Sequence, residues 1–418
     1  MPVKEYDKII IGGGAAGLMA AYSACQVKSN ADEKPEILIL EAKDSAGKKI
    51  TATGNGKCNF TNLYQSQECY RSKDPGKAFR IIQKFNNNET INLFKSIGII
   101  CTERNGYCYP HGEQARTLRD VLLNRAISLG AKILTGKKVI DISKTEGRFN
   151  ITCDDGSSYH SKKLLICAGG AASPVFGTDG SIFPILKKMG FSLIEPRPAL
   201  CGLLLNYKYL KRIEGVRLKC QCHLYVKHHI SPIYSETGEV IFNKNGINGI
   251  PIMNLSRFVV NALDDNDHPV LKLDFFPDMD QKSLKQYMYQ VALNSVVPLG
   301  CALSALINDK LLGVLMEEAG LDFNDLSVSR DTMSIRQGLG VLASLLKGLK
   351  LQIKGDAGFE NAQTTQGGVI LKEINEKTLE SYKYPGLFFA GEVLDVDGMC
   401  GGYNLQWAWT TGYLAGKN

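Results

Sequence analysis

The most constraining feature of this 418-residue chain is a glycine-rich turn close to its beginning. The stretch YDKIIIGGGAAG, at residues 6–17, is an apolar strand followed by glycines, and a helical run begins directly after it. Gly12 permits a tight turn, Gly14 lets backbone N–H groups approach a pyrophosphate, and Gly17 allows close helix–strand packing. The helix N-terminus adds partial positive charge. The turn therefore predicts a Rossmann-type dinucleotide site.

A second strand and a terminal acid continue this pattern. The strand Glu36–Leu40, whose last four residues are apolar, ends at Glu41, 24 residues past the last glycine of the turn. This spacing is typical of the carboxylate that binds ribose hydroxyls, and it suits an adenosine without a 2′-phosphate. Ala15, Ala16 and Ala42 are expected to line the same site. The pattern by itself does not separate FAD from NAD.

A second cofactor-binding segment is predicted near the C-terminus, in GLFFAGEVLDVDGMCGGYNLQWAWTTG at residues 386–412. A short buried strand opens it, and a glycine-rich turn then leads into a helix. Backbone N–H groups at that helix start would stabilise negative charge at the N1–C2=O edge of a reduced flavin. Only one complete dinucleotide fingerprint exists, so one cofactor held by both chain ends is the simplest interpretation, and it favours FAD over NAD. The residues expected to bind FAD here are Gly391, Glu392, Gly401, Gly402, Tyr403, Asn404 and Leu405.

Further segments complete the predicted site. The strand KLLICA delivers Ala168, Gly169 and Gly170 to the cofactor, and another strand places Val139 by the adenine. The polar segment GKKITATGNGKCNFTN, at residues 47–62, follows the ribose acid, as expected if the chain runs along FAD from adenosine towards the isoalloxazine. The residues expected to contact FAD in this segment are Lys48, Lys49, Thr53, Gly54, Asn55, Gly56, Cys58 and Asn59.

The middle of the chain has a different pattern. Over residues 196–280, short alternating stretches separated by Gly, Asn and Pro predict a β-barrel-like part. Over residues 281–347, apolar residues at three- and four-residue spacing predict helices. We therefore expect an α/β chain with a discontinuous FAD-binding domain, residues 1–195 and 353–418, and an inserted domain over residues 196–352.

Composition and charge exclude several functions. The net charge is +7, with Lys and Arg scattered, so no nucleic-acid role is indicated. Twelve cysteines without a regular framework indicate a reducing cytoplasm, and Cys220-x-Cys222 alternates like a strand without zinc-site spacing. No apolar run approaches the ~20 residues of a membrane helix. We expect a cytoplasmic protein that acts on a small molecule, with no metal, nucleic-acid or membrane partner; homo-oligomerisation stays open.

Five blocks of the sequence resemble the BaiN-like or HI0933-like flavoproteins, which include enzymes described as aminoacetone oxidases. The blocks are GGGAAG at 12–17, GKKITATGNGKCNFTN at 47–62, GEVIFNKNGINGIPIMNLS at 238–256, QGGVILKEINEKTLES at 366–381 and PGLFFAGEVLDVDGMCGGYNLQWAWTTG at 385–412. The resemblance covers nearly the whole chain. It implies a glutathione-reductase-like FAD domain formed by both chain ends, with an inserted domain that is part β-barrel-like and part helical.

The resemblance also implies an activity. It indicates an ene-reductase in which flavin N5 transfers hydride to an α,β-unsaturated ketone, steroid- or bile-acid-like or smaller, with NAD(P)H as a transient electron donor. The alternatives are an oxidase of a small amino-ketone that produces hydrogen peroxide, and a flavin-bound scaffold without turnover. Tyr109, Tyr403 and His111 are the candidate acid–base residues. Cys58 and Cys400 lack the C-x-x-C spacing of a redox pair, and packing is the favoured interpretation for both.

Overall fold

The computed structural model describes residues 5–27, 35–227, 229–325 and 332–418. The strands are β1 (Glu5–Ile11), β2 (Ile37–Leu40), β3 (Thr61–Asn62), β4 (Tyr70–Arg71), β5 (Cys101–Arg104), β6 (Tyr107–Pro110), β7 (Lys132–Leu134), β8 (Val139–Thr145), β9 (Arg148–Cys153), β10 (Ser158–Ile166), β11 (Leu193–Ala199), β12 (Leu203–Asn206), β13 (Arg217–Tyr225), β14 (Tyr234–Asn243), β15 (Gly246–Asn248), β16 (Val270–Asp274), β17 (Leu349–Asp356), β18 (Thr364–Val369), β19 (Leu387–Phe389) and β20 (Asp397–Gly398). The helices are α1 (Ala15–Ala24), α2 (Lys48–Ala52), α3 (Pro75–Ile82), α4 (Asn87–Ser96), α5 (Ala115–Leu129), α6 (Ile182–Lys188), α7 (Ile250–Asp264), α8 (Gln281–Leu293), α9 (Leu299–Leu303), α10 (Asp309–Glu318), α11 (Met333–Gly348), α12 (Gly358–Asn361) and α13 (Tyr403–Lys417). These elements form two compact units, residues 1–198 with 362–418 and residues 199–361.

A seven-stranded sheet organises the first unit. Its order is β7-β2-β1-β10-β9-β8, and β19 pairs in parallel with the second half of β10. Because β7, β2, β1, β10 and β19 run parallel, their carboxyl ends meet at one edge, where open α/β sheets bind ligands. The four-residue strand β2 is buried throughout, as expected for a strand covered on both faces. The predicted α/β fold is confirmed.

Two helices from opposite ends of the chain pack closely beneath this sheet. A Cβ atom at Gly412 of α13 would lie 2.3 Å from the Ala16 carbonyl oxygen of α1, and one at Gly416 would lie 2.2 Å from that of Ala20. Both glycines are therefore needed for the approach of the two backbones. The Lys8 ammonium donates to the Gly416 carbonyl at 2.7 Å, where α13 ends. Residues at the two chain ends thus form one core.

Three small sheets surround this core. β3-β6-β5 is a three-stranded antiparallel sheet, and β20 pairs with β4. β11 pairs with β18 at the end of the first unit. Strand β3 directly follows residues 47–60, and strand β20 precedes α13. Their pairing fixes the end of the first segment and the approach to the helix.

The second unit contains a closed six-stranded barrel of order β12-β15-β14-β13-β16-β17, in which β17 pairs back with β12. Alternate residues of β13 point inward, so Cys220, Cys222 and Leu224 are buried in the barrel core. Helices α8 to α11 follow β16 and share its hydrophobic core.

Several predicted boundaries were wrong. The return to the first unit was placed at residue 353, but β17 closes the barrel by pairing with both β12 and β16, so the return comes at residue 362. The region 196–280, predicted to be β-barrel-like, also contains the 15-residue helix α7. No capping side chain marks the start of this helix, and the proline in its first turn, Pro251, was interpreted as a separator between short strands.

Among the described residues, no helix is long and apolar enough to cross a membrane. Within the same ranges, no group of three or more His, Cys, Asp or Glu side chains is arranged to hold a metal ion.

Candidate functional site at the carboxyl edge of the sheet

Three of the four glycines in the turn after β1, namely Gly12, Gly14 and Gly17, differ in what surrounds them. Gly12 has φ +95°, and a Cβ atom there would lie 2.5 Å from the Cys167 carbonyl oxygen. A Cβ atom at Gly17 would lie 1.9 Å from the Gly12 carbonyl oxygen, so this glycine allows α1 to pack on the turn. At Gly14 a Cβ atom would meet nothing within 4 Å. The first two positions are required by packing, and Gly14 borders open space in which a pyrophosphate fits.

Glu41 lies at the end of β2, beside this turn. Its carboxylate accepts hydrogen bonds from the Gly13 N–H and the Lys43 N–H, each at 2.8 Å. Burial raises the pKa of Glu41 above its ordinary value. The two backbone bonds orient the carboxylate, and its remaining lone pairs can accept ribose hydroxyls. Ala15, Ala16 and Ala42 lie on either side, at the start of α1 and directly after Glu41.

A polar network joins segments that are distant in sequence at the same edge. The Lys49 ammonium pairs with the Glu392 carboxylate at 2.8 Å and donates to the Ala172 carbonyl at 3.1 Å. Glu392 also accepts the Thr365 N–H at 2.9 Å. The Thr365 hydroxyl accepts the N–H groups of Ala171 and Ala172 at 2.8 and 3.0 Å. Lys49 and Glu392, expected to contact the cofactor separately, therefore bind each other and orient the loops after β10 and β19.

Other predicted contacts lie around this network. Lys48 pairs with Asp44 at 2.5 Å one helical turn away. Gly170 brings the network close to the backbone, because a Cβ atom there would lie 2.3 Å from the Thr365 hydroxyl. Ala168 and Gly169 precede it at the end of β10, and Gly391 follows β19. Val139 is buried as the first residue of β8.

The segment at residues 47–62 is more ordered than its composition indicates. It was expected to run along the cofactor as a polar segment, and no helix was predicted in it, but Lys48–Ala52 form the helix α2 and residues 53–56 a tight turn. Gly54 and Asn55 both have left-handed backbone, with φ 56° and 53°, and Gly56 has φ +83°. A Cβ atom at Gly56 would meet nothing within 4 Å, so the turn faces open space.

Cys58 closes this turn and is a packing residue. Its side chain is fully buried, its N–H donates to the Thr53 carbonyl at 3.0 Å, and its thiol is hydrogen-bonded to the Thr53 side chain. Burial raises the pKa of Cys58 to about 12. A thiol that stays protonated at neutral pH is neither a nucleophile nor a ready redox partner for Cys400.

The start of α13 lies against this turn. Gly402 has φ +93°, and a Cβ atom there would lie 2.7 Å from the Thr61 carbonyl and 2.9 Å from the Asn59 side-chain oxygen. The Asn404 amide is already used, because it accepts the Gly398 N–H at 2.8 Å and donates to the Gly398 carbonyl at 2.9 Å. The helix can therefore offer a ligand its first backbone N–H groups, including that of Leu405, but not the Asn404 side chain.

Tyr403 supports the start of α13 from inside. Its ring is 6% exposed and meets Tyr70 edge to face, with centroids 5.7 Å apart. Burial, with a hydrogen bond to Cys69 as a second cause, raises its pKa well above the ordinary range. The hydroxyl of Tyr403, one of the three candidate acid–base residues, is therefore buried and hydrogen-bonded to Cys69.

The hairpin of β5 and β6 presents three side chains to the same region, and we call Arg104, Tyr107 and Tyr109 the hairpin wall. Arg104 and Tyr107 are paired across the strands, and Tyr109 follows two residues later on the same face. A Cβ atom at Gly401 would lie 2.9 Å from the Tyr107 ring, and one at Gly54 would lie 3.9 Å from the Tyr109 ring. Burial, followed by the charge of Cys400, raises the pKa of Tyr109.

His111, the third acid–base candidate, follows β6 at the surface. Its Nδ1 lies 2.8 Å from the Thr102 hydroxyl, and its side chain is exposed. The hydrogen bonds of His111 are to Thr102 and to the Ile100 carbonyl, both at the β5 end of the hairpin.

Sequence reasoning missed several residues of this edge. Thr365, Gln366, Asp395 and Asp397 are all buried, and Asp395 accepts the Lys73 N–H at 2.9 Å. A usable signal was present, since TTQGGV and LDVDG place polar side chains inside segments that are otherwise apolar or glycine-rich. Tyr107 had no such signal, because an isolated tyrosine in a short strand is common.

These residues fit FAD, the group that this type of fold implies. The oriented Glu41 carboxylate would bind the ribose of the adenosine, the open space at Gly14 would take the pyrophosphate, and the open space at Gly56 would take the ring. When bound, FAD supplies hydride-transfer chemistry at its ring. The chain's own residues supply the turn, the acid, the helix start and the hairpin wall around it.

Comparisons with known proteins agree with this geometry. The family model described as HI0933-like protein Rossmann domain matches residues 6–418. The chain is 34% identical to a 3-dehydro-bile acid delta(4,6)-reductase of Clostridium scindens over 98% of this chain and 97% of that protein. It is 26% identical to a ribosomal RNA dihydrouridine synthase of Escherichia coli over 100% of this chain and 98% of that protein.

Among solved structures, Escherichia coli quinol fumarate reductase superposes with a TM-score of 0.50 at 14% identity, covering 100% of this chain and 70% of that chain, which shows a shared fold. The match to the family model and the identity to the bile-acid reductase both extend over essentially the whole chain. The chain belongs to the HI0933-like family of FAD-dependent oxidoreductases.

Proposed function

We propose that this protein reduces a carbon–carbon double bond conjugated to a ketone, using bound FAD and NAD(P)H as the electron donor. The observation that carries the proposal is the position of Tyr109, a half-buried phenol on the hairpin wall whose ring faces the turn at Gly54, 3.9 Å from where a Cβ atom of that residue would lie. The relative of 34% identity supports the substrate class, because its printed name is that of a reductase of a 3-dehydro bile acid. A steroid-like enone is therefore the first substrate to test.

Tyr109 is the residue that we assign to proton delivery. Reduction of an enone needs a proton at the α-carbon, and the Tyr109 phenol carries one at neutral pH, since its ordinary pKa is near 10 and burial raises that pKa further. Tyr403 is a poorer donor because its hydroxyl is engaged inside the protein, and His111 because it is exposed beyond the hairpin wall. Backbone N–H groups at the start of α13 lie nearby and would stabilise negative charge.

The electron donor is proposed to visit the site transiently. The sequence contains one complete dinucleotide fingerprint, and the FAD site uses it. NAD(P)H would then reach the flavin from the open side of the Gly56 turn rather than from a Rossmann domain of its own.

Anaerobic spectroscopy of the purified holoprotein tests this proposal. We expect NADH or NADPH to bleach the yellow flavin band, and a 3-keto-Δ4 steroid to restore it with formation of the saturated ketone. If neither nicotinamide bleaches the flavin, the reductase proposal is wrong. Rapid reduction by aminoacetone with stoichiometric peroxide in air would support the oxidase instead, and a flavin that no donor reduces would support the scaffold.

A second candidate is reduction of uridine in RNA. Uridine has a C5=C6 bond conjugated to a carbonyl, so its reduction to dihydrouridine needs the same hydride and proton. Two relatives with the printed name of ribosomal RNA dihydrouridine synthase match nearly the whole chain at 26% and 25% identity. The net charge of +7 also lies entirely in the first unit, since residues 199–361 contain 17 Lys and Arg and 17 Asp and Glu.

Mass spectrometry of ribosomal RNA separates the two candidates. RNA incubated with the holoprotein and NADPH would gain two hydrogens at a uridine if this second activity is present. We expect no such gain, together with turnover of the steroid enone. The opposite pair of results would replace the first proposal with the second.

A further inference from the structure

A cluster of three charges adjoins the hairpin wall. The Lys57 ammonium lies 2.9 Å from the Glu113 carboxylate, and the Arg104 guanidinium pairs with the other oxygen of the same carboxylate. Lys57 directly follows the open turn at residues 53–56, and its N–H donates to the Gly54 carbonyl at 3.1 Å. The charges of all three side chains act on the Tyr109 hydroxyl. The cluster is therefore at the mouth of the proposed active site.

This cluster contains two cations and one anion. Arg104 and Lys57 are 61% and 52% exposed, whereas Glu113 is 22% exposed and lies between them. Glu103, the nearby acid on β5, is on the opposite face of the hairpin, where it accepts the Gly106 N–H at 2.5 Å. One positive charge at this mouth is thus left without a matching carboxylate from the hairpin.

We propose that Arg104 and Lys57 bind a carboxylate of the substrate, and that they make an anionic enone the preferred substrate of the reaction proposed above. This inference deepens that function and rests on it. The planar guanidinium of Arg104 can hold a carboxylate through two parallel N–H···O bonds, while Lys57 adds a point charge. Glu113 orients both cations before the substrate binds. Its negative charge also lowers the affinity of the two cations for the substrate carboxylate.

The position of the cluster explains how recognition assists the chemistry. A carboxylate held by Arg104 and Lys57 fixes the end of the substrate that is remote from the enone at the exposed side of the hairpin wall, and Tyr109 is left to face the reacting bond. Fixing a remote group of the substrate orients the reacting bond without contact at the reacting atoms. Both cations are largely exposed, so the interaction is expected to weaken with ionic strength.

The test compares two substrates that differ in one charge. A 3-keto-Δ4 steroid with a side-chain carboxylate and its methyl ester are assayed with the holoprotein, and the acid-to-ester ratio of kcat/KM is measured. We expect the acid to be preferred, and Arg104→Gln to lower the ratio about fivefold to tenfold through KM for the acid. Lys57→Gln should lower it by a similar factor, and Glu113→Gln should raise it.

Matched controls keep the outcome unambiguous. Arg116→Gln removes a cation that is 80% exposed and pairs only along its own helix with Asp120 at 3.5 Å, so the ratio should not change. A phosphate monoester of the same steroid shows whether the cluster selects carboxylates or anions in general, and equal use of both would overturn the carboxylate assignment. If Arg104→Gln and Lys57→Gln leave the ratio unchanged, the inference is wrong while the enone reductase stands. If neither acid nor ester is reduced by wild-type protein, the proposed function itself fails.

Discussion

Two parts of the first unit border the proposed site and are specified in opposite ways. The dinucleotide edge, formed by the turn from Gly12 to Gly17 and by Glu41, acts through backbone geometry. The hairpin wall, formed by Arg104, Tyr107 and Tyr109, acts through side chains, and its two tyrosine rings lie next to the space at Gly401 and Gly54 that a Cβ atom would enter. At the edge, a wrong residue collides with the backbone. At the wall, a wrong residue leaves the fold intact and removes the chemistry.

The largest effect is expected from filling the packed glycine of the edge. Gly17→Ala would place a Cβ atom 1.9 Å from the Gly12 carbonyl and force α1 away from β1. We expect a loss of more than about 2 kcal/mol of unfolding free energy and little FAD bound. Chemical denaturation and the flavin-to-protein absorbance ratio measure the two effects.

Gly14→Ala is the matched control. Its backbone, at φ −75°, suits alanine, and the new methyl group meets nothing within 4 Å. Stability should change by less than about 0.5 kcal/mol, while FAD affinity falls because the methyl group occupies space for the pyrophosphate. Equal stability of the two variants would contradict the distinction between the packed and the open glycine.

The next effect belongs to the wall. Tyr109→Phe should slow enone reduction by about 100-fold or more without changing flavin reduction by NAD(P)H, because general-acid catalysis contributes roughly 10²–10⁴-fold. Tyr403→Phe should change the same step only slightly. Stopped-flow measurement of the two half-reactions compares them, and a larger effect from Tyr403 would reverse the assignment.

A third effect concerns the pH dependence of stability, and it comes from the buried Lys8 of β1. Lys8 is 7% exposed, and burial lowers its pKa from 10.5 to about 8. Between these pH values the unfolded chain binds a proton that the folded protein does not, so stability rises with pH across this window, by roughly 3 kcal/mol at most. Denaturation curves at pH 8 and 10 should show a rise in wild-type protein that is reduced in Lys8→Met. Identical pH dependence in the two proteins would show that Lys8 is charged in the fold.

The smallest effect is expected at the turn that joins the two regions. Cys58→Ser should keep most of the bound flavin, since the thiol is a protonated packing group beside Thr53. Gly56→Val should lower flavin occupancy, because φ +83° strains a β-branched residue and its side chain enters the space in front of the turn. Full flavin loading in Gly56→Val would mean that this turn does not border the ring.

The two regions also differ in how far the sequence predicts them. Gly12, Gly14, Gly17 and Glu41 lie within one strand–helix–strand unit, so their spacing alone indicates their positions and roles. Lys49 and Glu392 were both assigned to the site, yet their ion pair joins the helix α2 to the segment after β19, and these meet only in the folded first unit. The spacing of residues within one segment does not predict which distant segments will come into contact.

Two further features, the role of β17 and the difference between two tyrosines, also depend on contacts between distant segments. The strand β17 reads as a return to the first unit, because its alternating pattern serves a barrel and an open sheet equally well. Tyr403 and Tyr109 are both tyrosines in short segments that contain glycine. Their burial and neighbours, Tyr70 and Cys69 in one case and Gly54 in the other, differ only in the folded chain.

The sequence by itself determined that this chain binds a dinucleotide, that both of its ends take part, and that an insertion separates them. Each of these follows from local rules, in which glycines are needed where backbone must approach closely and strands and helices have their own periods. Tertiary structure alone decided which phenol faces the site, which acid holds Lys49, and that Arg104 and Lys57 share Glu113. Those arrangements depend on side chains from distant segments, whose distances exist only after the sheet and the hairpin have packed together.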